Sequence, residues 1–534
     1  MSTEEGKVDG PGGPAASAEF PHINPWIVAV SVMFATFLEV LDTTVVNVSL
    51  PHIAGSLSAT PEEATWTLTS YLVANAIVLP MTGWLAGYFG RKRLLMLAVT
   101  GFTLSSFLCG IAPSLSFLVV FRLMQGLTGG VLQPMSQAIM LEAFPVEQRG
   151  KGMAFWALGI VVAPILGPVL GGWLTDNFSW RWVFYINLPI GIASIVMTKA
   201  FIFDPPYLRK PRGKIDAVGI GLLVLGIGAL QFVLDKGQQE DWFDSRMIMA
   251  LTGVSALALL TFIIHSFWSP DPVLDLRVLK DRTYAAGVSL MTVLGFVLFG
   301  SLVMLPLFLQ TVLGYSSYEA GTAMAPRGFG AFLAMPLVGY LMGKLDPRKM
   351  VIGGLTIAGI TLFMLSRINL QAGYWDIFWP QFIQGMSMGL LFVPLSTVSM
   401  NLIAREKMGN ATSLFSLMRN LGAGIGIAGV ATLVSRRTTS HAAQLSEHFN
   451  PYSDAARRAF EGARSLFLSK GSSLSVATQQ AYAALSGIVH RQAAMIAFVD
   501  VTRLLGLIFI AVIPLVFIMK RPARRAAVPP GGAH

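Results

Sequence analysis

The sequence predicts an all-α, polytopic membrane protein with fourteen transmembrane helices. Hydrophobic residues make up 54% of its 534 residues and charged residues only 12%, and the mean hydropathy is +0.63. Apolar runs of about 20 residues, long enough to cross a bilayer, recur from end to end. The net charge of +10 is spread over the connectors between these runs, which favours orientation signals over a nucleic-acid site.

The apolar runs place the predicted spans in chain order. They lie near residues 26–50, 66–87, 94–112, 115–141, 152–174, 183–203, 216–235, 246–268, 284–309, 320–343, 349–367, 376–402, 411–434 and 496–518. Alternate connectors are rich in Lys and Arg, as in the cluster Arg91-Lys92-Arg93. Because cytoplasmic connectors carry the positive excess, both termini are expected in the cytoplasm.

The spans divide the chain into five regions. Residues 1–21 are acidic and rich in Gly, Pro and Ala, which predicts a disordered cytoplasmic tail rather than a cleaved signal. A six-helix bundle is predicted over 22–203, and two inserted helices with flanking loops over 204–283. A second six-helix bundle follows over 284–518 and includes a long outer loop at 436–495. A basic cytoplasmic tail is predicted at 519–534.

An internal repeat relates the two bundles. The segment GWLAGYFGRKRL (83–94) aligns with GYLMGKLDPRKM (339–350), and RLMQGLTGG (122–130) aligns with QFIQGMSMG (381–389). Two related halves of similar topology are typical of alternating-access transporters, whose substrate site lies between the halves near the membrane midplane.

Two carboxylates interrupt the first span, in FLEVLDTTVVNVSLP (37–51). Glu39 and Asp42 are three residues apart and therefore share one helix face. Asp42 and Arg122 each lie about 10 Å below the outer end of their span, so they are at matching depth. The pair is either a structural ion pair or a proton-binding site whose charge changes during transport. Glu39, one turn deeper and without an obvious cation, is a second proton carrier or the acid that meets a cationic drug.

Small residues and prolines mark candidate gating segments. In GIVVAPILGPVLGGWL, Gly159, Ala163, Gly167 and Gly171 form one smooth stripe that allows close helix approach, and Pro164 and Pro168 bend the helix. The stripe is expected to seal the two halves in one conformation, although ordinary helix packing explains it too. The connector after the second span contributes Gly83, Gly87, Gly90 and Arg91.

Other polar residues inside spans are candidates for a substrate cavity. Each could instead join two helices. They are Asn47, Asn75, Gln125, Gln133, Gln310, Gln384, Arg419 and Asn420.

No cofactor is expected, and a proton gradient is the predicted energy source. The sequence lacks a GxxxxGK[ST] phosphate loop, and GAGIG (422–426) lies inside a span without a preceding strand. No His/Cys cluster has metal-ligand spacing. These absences argue against ATP-driven transport through this chain and against a membrane-embedded metalloenzyme.

Several long motifs resemble the major facilitator superfamily, in particular its fourteen-span drug/proton antiporter branch of the EmrB/QacA type, and most closely its EmrB-type members. The motifs are LDTTVVNV, WTLTSYLVANAIVLPMTGWLA, WRWVFYINLPIG, FRLMQG and APILGPVLGG. The resemblance implies a major facilitator fold of two six-helix halves plus two inserted helices. Two departures are visible: Gly87 replaces the usual acid of the first superfamily motif, and Glu39 stands where EmrB-type members have Gln.

The resemblance further implies a proton-coupled multidrug efflux pump of the bacterial inner membrane. Its implied partners are a periplasmic adaptor of the EmrA/HlyD type and an outer-membrane channel of the TolC type, with 436–495 as the contact region. Two alternatives stay open. One is a proton-coupled exporter of a native metabolite such as a fatty acid or siderophore. The other is a non-transporting sensor or scaffold, for which buried acids have no use.

Overall fold

The computed structural model describes residues 24–204, 215–447 and 453–520. The predicted tail at 1–21 and most of the tail at 519–534 lie outside the described residues. The helices are α1 (Pro25–Ser56), α2 (Trp66–Phe89), α3 (Arg91–Gly110), α4 (Leu115–Ala143), α5 (Arg149–Asn177), α6 (Trp182–Phe201), α7 (Ala217–Lys236), α8 (Arg246–Trp268), α9 (Arg282–Thr311), α10 (Ser317–Leu341), α11 (Pro347–Leu365), α12 (Tyr374–Met400), α13 (Met408–Glu447), α14 (Asp454–Ser469) and α15 (Leu474–Ala511). Short helical turns are Pro61–Ala64, Val146–Gln148, Trp242–Asp244, Leu276–Lys280, Arg405–Lys407 and Ile513–Val516.

Thirteen helices in the described part of the chain are long and apolar enough to cross a membrane, one fewer than predicted. The remaining helix of comparable length is α10, with 25 residues. Its glycines, its two prolines and the charged Glu319 and Arg327 make it less apolar than its neighbours. The all-α, multi-pass membrane fold predicted from the sequence is confirmed.

Polar side chains at the connectors define where helices begin. Asp281 accepts a hydrogen bond from the amide of Tyr284 at the start of α9, and Asp346 accepts one from Arg348 at the start of α11. Ser316 and Glu319 form a capping box at the start of α10. Each cap satisfies an amide that the first helical turn leaves without a partner.

The internal repeat reappears as repeated helix packing. In the first half, α1 packs along α5 and α2 packs along α4. In the second half, α9 packs along α13 and α10 packs along α12. We call helices α1–α6 the N-half, and helices α9–α13 with α15 the C-half.

The halves contact each other at one end of the bundle. We call this the basic end, after Arg91, Lys151, Lys349 and Lys407. A Cβ atom on Gly83 of α2 would lie 2.6 Å from the amide nitrogen of Asn410 on α13, and one on Gly150 would lie 2.7 Å from the Met342 side chain. Such short separations leave no room for side chains larger than glycine, so the basic end is closed.

Helices α7 and α8 form the inserted pair and pack on the outside of the bundle. Helix α7 contacts α2 of the N-half and α13 of the C-half. Near its C-terminus, Lys236 donates to the hydroxyl of Thr65 at 2.8 Å, and Asp235 accepts from Thr69. Just beyond it, the indole of Trp242 donates to Thr432 at 3.0 Å. The inserted pair is therefore hydrogen-bonded to both halves.

A helical hairpin extends from the end opposite the basic end, which we call the hairpin end. Helix α13 continues to Glu447, α14 follows, and α15 returns toward the bundle. Helix α14 packs on α15, with the rings of Phe460 and Tyr482 4.6 Å apart. Asp500 of α15 accepts from Arg437 at 3.1 Å and lies 3.0 Å from the His441 ring, and these contacts join α15 to α13.

Candidate functional site

The N-half contains a fully buried ion pair between Asp42 of α1 and Arg122 of α4. The Arg122 Nη1 atom lies 2.6 Å from Asp42 Oδ2, and neither side chain is exposed. The Nε atom of Arg122 donates to the carbonyl oxygen of Thr67 at 3.0 Å. The structure thus brings together the two residues that the sequence predicts at matching depth.

Two amides complete the surroundings of Asp42. Its Oδ1 atom accepts from Gln125 of α4 at 2.9 Å and from Asn187 of α6 at 2.7 Å. The hydroxyl of Ser106 on α3 accepts from both amides, at 3.2 and 2.9 Å, and donates to the Phe184 carbonyl at 3.0 Å. Four helices of the N-half therefore contribute to one hydrogen-bond network around the Asp42 carboxylate.

Aromatic rings enclose the guanidinium of Arg122. The ring of Tyr71 on α2 lies 4.2 Å from the guanidinium carbon, and the ring of Phe184 lies 5.8 Å from it. Stacking of this kind stabilises a cation away from water. One guanidinium nitrogen, Nη2, has no hydrogen-bond partner among the described residues. The cation is thus held by the Asp42 carboxylate, the Gln125 amide oxygen at 2.7 Å and the Thr67 carbonyl oxygen.

A second polar group lies between the two halves. Glu39 accepts from the amide of Asn75 at 3.1 Å, and its other oxygen has no partner in the described part of the chain. Arg419 of α13 interacts electrostatically with Glu39 and donates to Gln133 of α4. Arg419 also contacts the Asn420 amide at 3.4 Å. Glu39 therefore has a cation nearby, supplied by the opposite half, which the sequence did not reveal.

The predicted cavity residues fall into two groups. Asn75, Gln125, Gln133, Arg419 and Asn420 belong to the two polar groups just described. The other three do not: Asn47 and Gln310 are exposed, and Gln384 is buried inside the C-half, 3.4 Å from Gln381.

Ser106 and Asn187 are site residues that were not predicted from the sequence. Asn187 lies in WRWVFYINLPIG, a segment singled out only for its resemblance to a family motif. It is the one side-chain amide in that motif, and it follows an apolar stretch at a helix start. This isolated polar residue was the signal in the sequence that could have predicted its place in the site. Ser106 is one of two adjacent serines in α3, and nothing local distinguishes a serine that contacts another helix from one that bonds its own backbone.

Comparisons with known proteins decide the family. The family model "Major Facilitator Superfamily" matches residues 32–427. The chain belongs to the major facilitator superfamily. Among its relatives, the fatty acid resistance protein FarB of Neisseria gonorrhoeae is 37% identical over 95% of this chain and 97% of that protein. The multidrug export protein EmrB of Escherichia coli K12 is 35% identical over 95% of this chain and 98% of that protein.

Further comparisons agree on family and fold. EmrB of Haemophilus influenzae is 40% identical over 80% of this chain and 84% of that protein. The crystal structure of the human organic anion transporter MFSD10 (TETRAN) covers 91% of this chain and all of that one, with a TM-score of 0.57 and 13% identity. At that identity the match shows the fold alone. The predicted resemblance to EmrB-type members of the superfamily is confirmed, and the chain is a transporter rather than an enzyme.

The first superfamily motif lies at the closed basic end. Gly83 contacts α13, and Gly87 is half-buried in α2. Gly90 has φ +84°, a backbone conformation that favours glycine, and it lies beside the Asp204 carboxylate. Arg91 forms a buried ion pair with Glu142 of α4. Although Gly87 replaces the usual acid, a carboxylate from another helix is therefore present beside Arg91.

The small-residue stripe of α5 packs against α1, inside the N-half. A Cβ atom on Gly167 would collide with Thr44, and one on Gly171 would lie 2.8 Å from the Val45 carbonyl oxygen. Gly159 faces Met33 in the same way, and the Ala163 carbonyl accepts from Thr44 at 3.5 Å. Pro164 and Pro168 lie within the continuous helix α5. The stripe thus fixes the distance between α1, which holds both acids, and α5, which contacts the C-half through α10 and α12. Its role in gating stays a prediction.

Proposed function

We propose that this transporter is a proton-coupled multidrug efflux antiporter of the bacterial inner membrane, with the basic end and both termini in the cytoplasm. The observation that carries the proposal is Asp42, a carboxylate of zero exposure in a membrane-spanning helix, held by Arg122, Gln125 and Asn187. Buried charges of this kind in spans are costly and mark proton or substrate pathways. The relatives named as multidrug export proteins support drugs as the substrates.

The geometry suggests how a proton changes the protein. Ionised Asp42 accepts hydrogen bonds from three side chains. A proton added to one oxygen removes the charge that holds Arg122 and turns an acceptor into a donor. The contacts among α1, α3, α4 and α6 must then rearrange. We propose that this rearrangement separates the helices that contact at the basic end, and that deprotonation closes them again.

The driving force is sufficient without ATP. One proton moving inward gains about 2.3 kcal/mol per 100 mV of membrane potential, and every 1.4 kcal/mol corresponds to a tenfold concentration ratio. At a potential of ~150 mV, one proton can therefore hold a neutral drug at a gradient of a few hundredfold. Such a gradient is enough for resistance.

The test uses purified protein reconstituted in proteoliposomes. An imposed pH gradient is expected to drive uphill movement of apolar drugs and uncouplers from a small panel. Substrate addition to the purified protein is expected to release protons, and Asp42→Asn and Glu39→Gln are expected to reduce that release. Asp500→Asn, which changes a carboxylate in the hairpin contact, is the matched control and keeps the response. An unchanged proton response in both test variants would remove these acids from the mechanism.

We also propose that the hairpin formed by α13, α14 and α15 binds a periplasmic adaptor of the EmrA/HlyD type, which links the pump to a TolC-type outer-membrane channel. The hairpin extends beyond the bundle, and Leu466, Leu468, Tyr482 and Ile488 on it are exposed apolar residues. Replacing 454–469 with a flexible Gly/Ser segment is expected to stop efflux from whole cells and to spare transport in proteoliposomes. Equal loss in both assays contradicts the adaptor role.

A second candidate substrate is a fatty acid. The observation that favours it is the relative named as a fatty acid resistance protein, which matches this chain over nearly its full length. Proton-coupled transport of a medium-chain fatty acid in the same proteoliposome assay, compared with the drug panel, decides between the two substrates.

A further inference from the structure

The C-half contains a buried arginine that has no ion-pair partner among the described residues. Arg327 of α10 is only 6% exposed. Its one hydrogen-bond contact with the residues that the structure describes is a long one, 3.5 Å from Nη2 to the hydroxyl of Ser301 on α9. A guanidinium has five N–H donors, so most of its capacity for hydrogen bonds is unused. The mechanism proposed above does not involve this residue.

The internal repeat shows what is unusual about Arg327. The register that aligns Gly83 with Gly339 also aligns Tyr71 with Arg327. The packing agrees, because Gly126 of α4 lies against the Tyr71 carbonyl and Gly385 of α12 lies against the Arg327 carbonyl. Arg327 therefore occupies, in the C-half, the place of the ring that stacks on Arg122 in the N-half.

The described C-half has a cation at this position without the acid that accompanies the cation of the N-half. The residues aligned with Arg122 and Gln125 are Gln381 and Gln384. Both are buried, and the Oε1 atom of Gln381 and the Nε2 atom of Gln384 have no hydrogen-bond partner in the described part of the chain. Helices α10 and α12 thus bring an unpaired cation and two incompletely bonded amides to the same crossing.

The carboxylates of the described C-half lie away from this crossing. Arg327 is ten residues into α10, which places it about 15 Å below the start of that helix. The carboxylates at the helix starts, at the basic end and in the hairpin are Asp281, Glu319, Asp346, Asp376, Glu406, Glu447, Asp454 and Glu461. Asp500 is in contact with Arg437 and His441. An internal counter-ion for Arg327 is therefore missing from the described residues.

We infer that Arg327 binds the carboxylate of an anionic, amphipathic substrate. A buried charge requires compensation, and a carboxylate supplies the missing negative charge with a geometry that matches the guanidinium fork. Gln384 can donate to the same anion through its unused Nε2 atom. The inference deepens the proposed export function and rests on it only for the statement that the bound anion is transported.

Binding to the purified, full-length protein tests the inference. The probes are decanoate and decanol, which share a chain and differ in charge. Arg327→Gln is expected to weaken decanoate binding tenfold or more and to leave decanol binding unchanged. Arg327→Lys keeps the positive charge but loses the forked guanidinium. Its affinity for decanoate is expected to lie between those of Arg327→Gln and the unmodified protein. Arg503→Gln, at an exposed position of α15, is the matched control with unchanged binding of both probes.

The unfolding temperature separates binding from a structural role. Without ligand, Arg327→Gln is expected to unfold at the same or a higher temperature, because it removes an uncompensated charge. Decanoate is expected to raise the unfolding temperature of the unmodified protein and not that of the variant. A lower unfolding temperature together with equal loss of both probes would overturn the inference, as would unchanged decanoate binding.

The same variant distinguishes the failure of this inference from the failure of the proposed function. Substrate-induced proton release depends on Asp42 and does not require Arg327 for substrates that carry no negative charge. If proton release is absent from the unmodified protein while decanoate binding depends on Arg327, the proton coupling is wrong and the anion site stands. If a neutral drug causes proton release and Arg327→Gln does not change decanoate binding, the anion site is contradicted and the proton coupling is supported.

Discussion

The two halves of this transporter share their backbone packing and differ in their buried charges. Gly126 contacts the Tyr71 carbonyl in the N-half as Gly385 contacts the Arg327 carbonyl in the C-half. In the N-half, Arg122 has a carboxylate 2.6 Å away. In the described C-half, Arg327 has only the Ser301 hydroxyl, at 3.5 Å.

This difference suggests a division of labour between the halves. Glycines at the crossings bring α2 against α4 and α10 against α12, and this packing sets where a side chain can reach. The side chains at aligned positions differ between the halves, and they determine which charges each half contains. The buried acids Glu39 and Asp42 lie in the N-half, whereas the buried cations Arg327 and Arg419 lie in the C-half and have no acid of their own half beside them in the described part of the chain.

The largest expected effect compares the two arginines directly. Arg122→Gln leaves Asp42 buried without its cation, and breaking a buried pair in this way is expected to cost about 3–5 kcal/mol. Arg327→Gln breaks no pair and is expected to cost nothing or to stabilise. Thermal unfolding of both purified variants checks the prediction. Similar losses in both would show that Arg327 has a counter-ion after all.

A smaller effect tests the packing that the halves share. An added Cβ at Gly126 or Gly385 collides with a backbone carbonyl of the neighbouring helix, so the helices must move apart. Gly126→Ala and Gly385→Ala are each expected to reduce the free energy of unfolding by about 2 kcal/mol. Gly353→Ala, in open space on α11, is the control and is expected to stabilise slightly. If the two substitutions reduced the free energy of unfolding unequally, the two helix crossings would share a geometry but not a stability.

Giving Arg327 an acid should make the C-half resemble the N-half. Because the Ser301 hydroxyl lies 3.5 Å from the guanidinium, Ser301→Asp places a carboxylate within ion-pair distance. It is expected to compete with decanoate and to weaken its binding about tenfold, equivalent to about 1.4 kcal/mol. Ser301→Asn, similar in size and neutral, is expected to bind decanoate as the unmodified protein does. Equal effects of the two substitutions would assign the change to size rather than charge.

Most of the fold was predictable from the sequence, because hydropathy and basic connectors directly reflect the bilayer and its orientation rule. Helix α10 (Ser317–Leu341) matches the span predicted at 320–343, although Arg327, glycines and prolines reduce its hydropathy. It packs against α12 and α5. The Asp42–Arg122 pair was also predictable, because depth along a helix follows from residue counting.

The rest of the site depends on which face each helix turns toward the interior, and counting residues along a helix does not predict that orientation. Asn187 and Ser106 reach Asp42 because α3 and α6 turn those positions inward. Asn47 and Gln310 are equally polar, yet they are exposed. The proximity of Glu39 and Arg419 depends further on how the two halves are docked, which no local pattern in either half encodes.

The smallest expected effect concerns Asp216, which caps the inserted helix α7 and belongs to neither half. Burial acts to raise the pKa of Asp216, but hydrogen bonds from the Gly219 amide, the His265 ring and the Val273 amide outweigh it and lower the pKa below its ordinary value of 3.8. Because the pKa is lower in the folded state, the stabilisation is present above the unfolded-state value and is lost as the pH falls through the folded-state value.

Asp216→Asn isolates that charge, because Asn caps a helix about as well as Asp. The expected cost at neutral pH is about 0.5 kcal/mol, in the range for a charge at a helix N-terminus. The measurement compares the unfolding temperatures of the two proteins from pH 7 downward, and the difference is expected to vanish once Asp216 is protonated. Since the inserted pair, including the turn between its helices, is hydrogen-bonded to both halves, drug transport at pH 7 should be unchanged if the cap only holds the inserted pair. A loss of transport greater than the loss of folded protein would mean that helices α7 and α8 take part in the transport cycle. The two halves alone would then not account for transport.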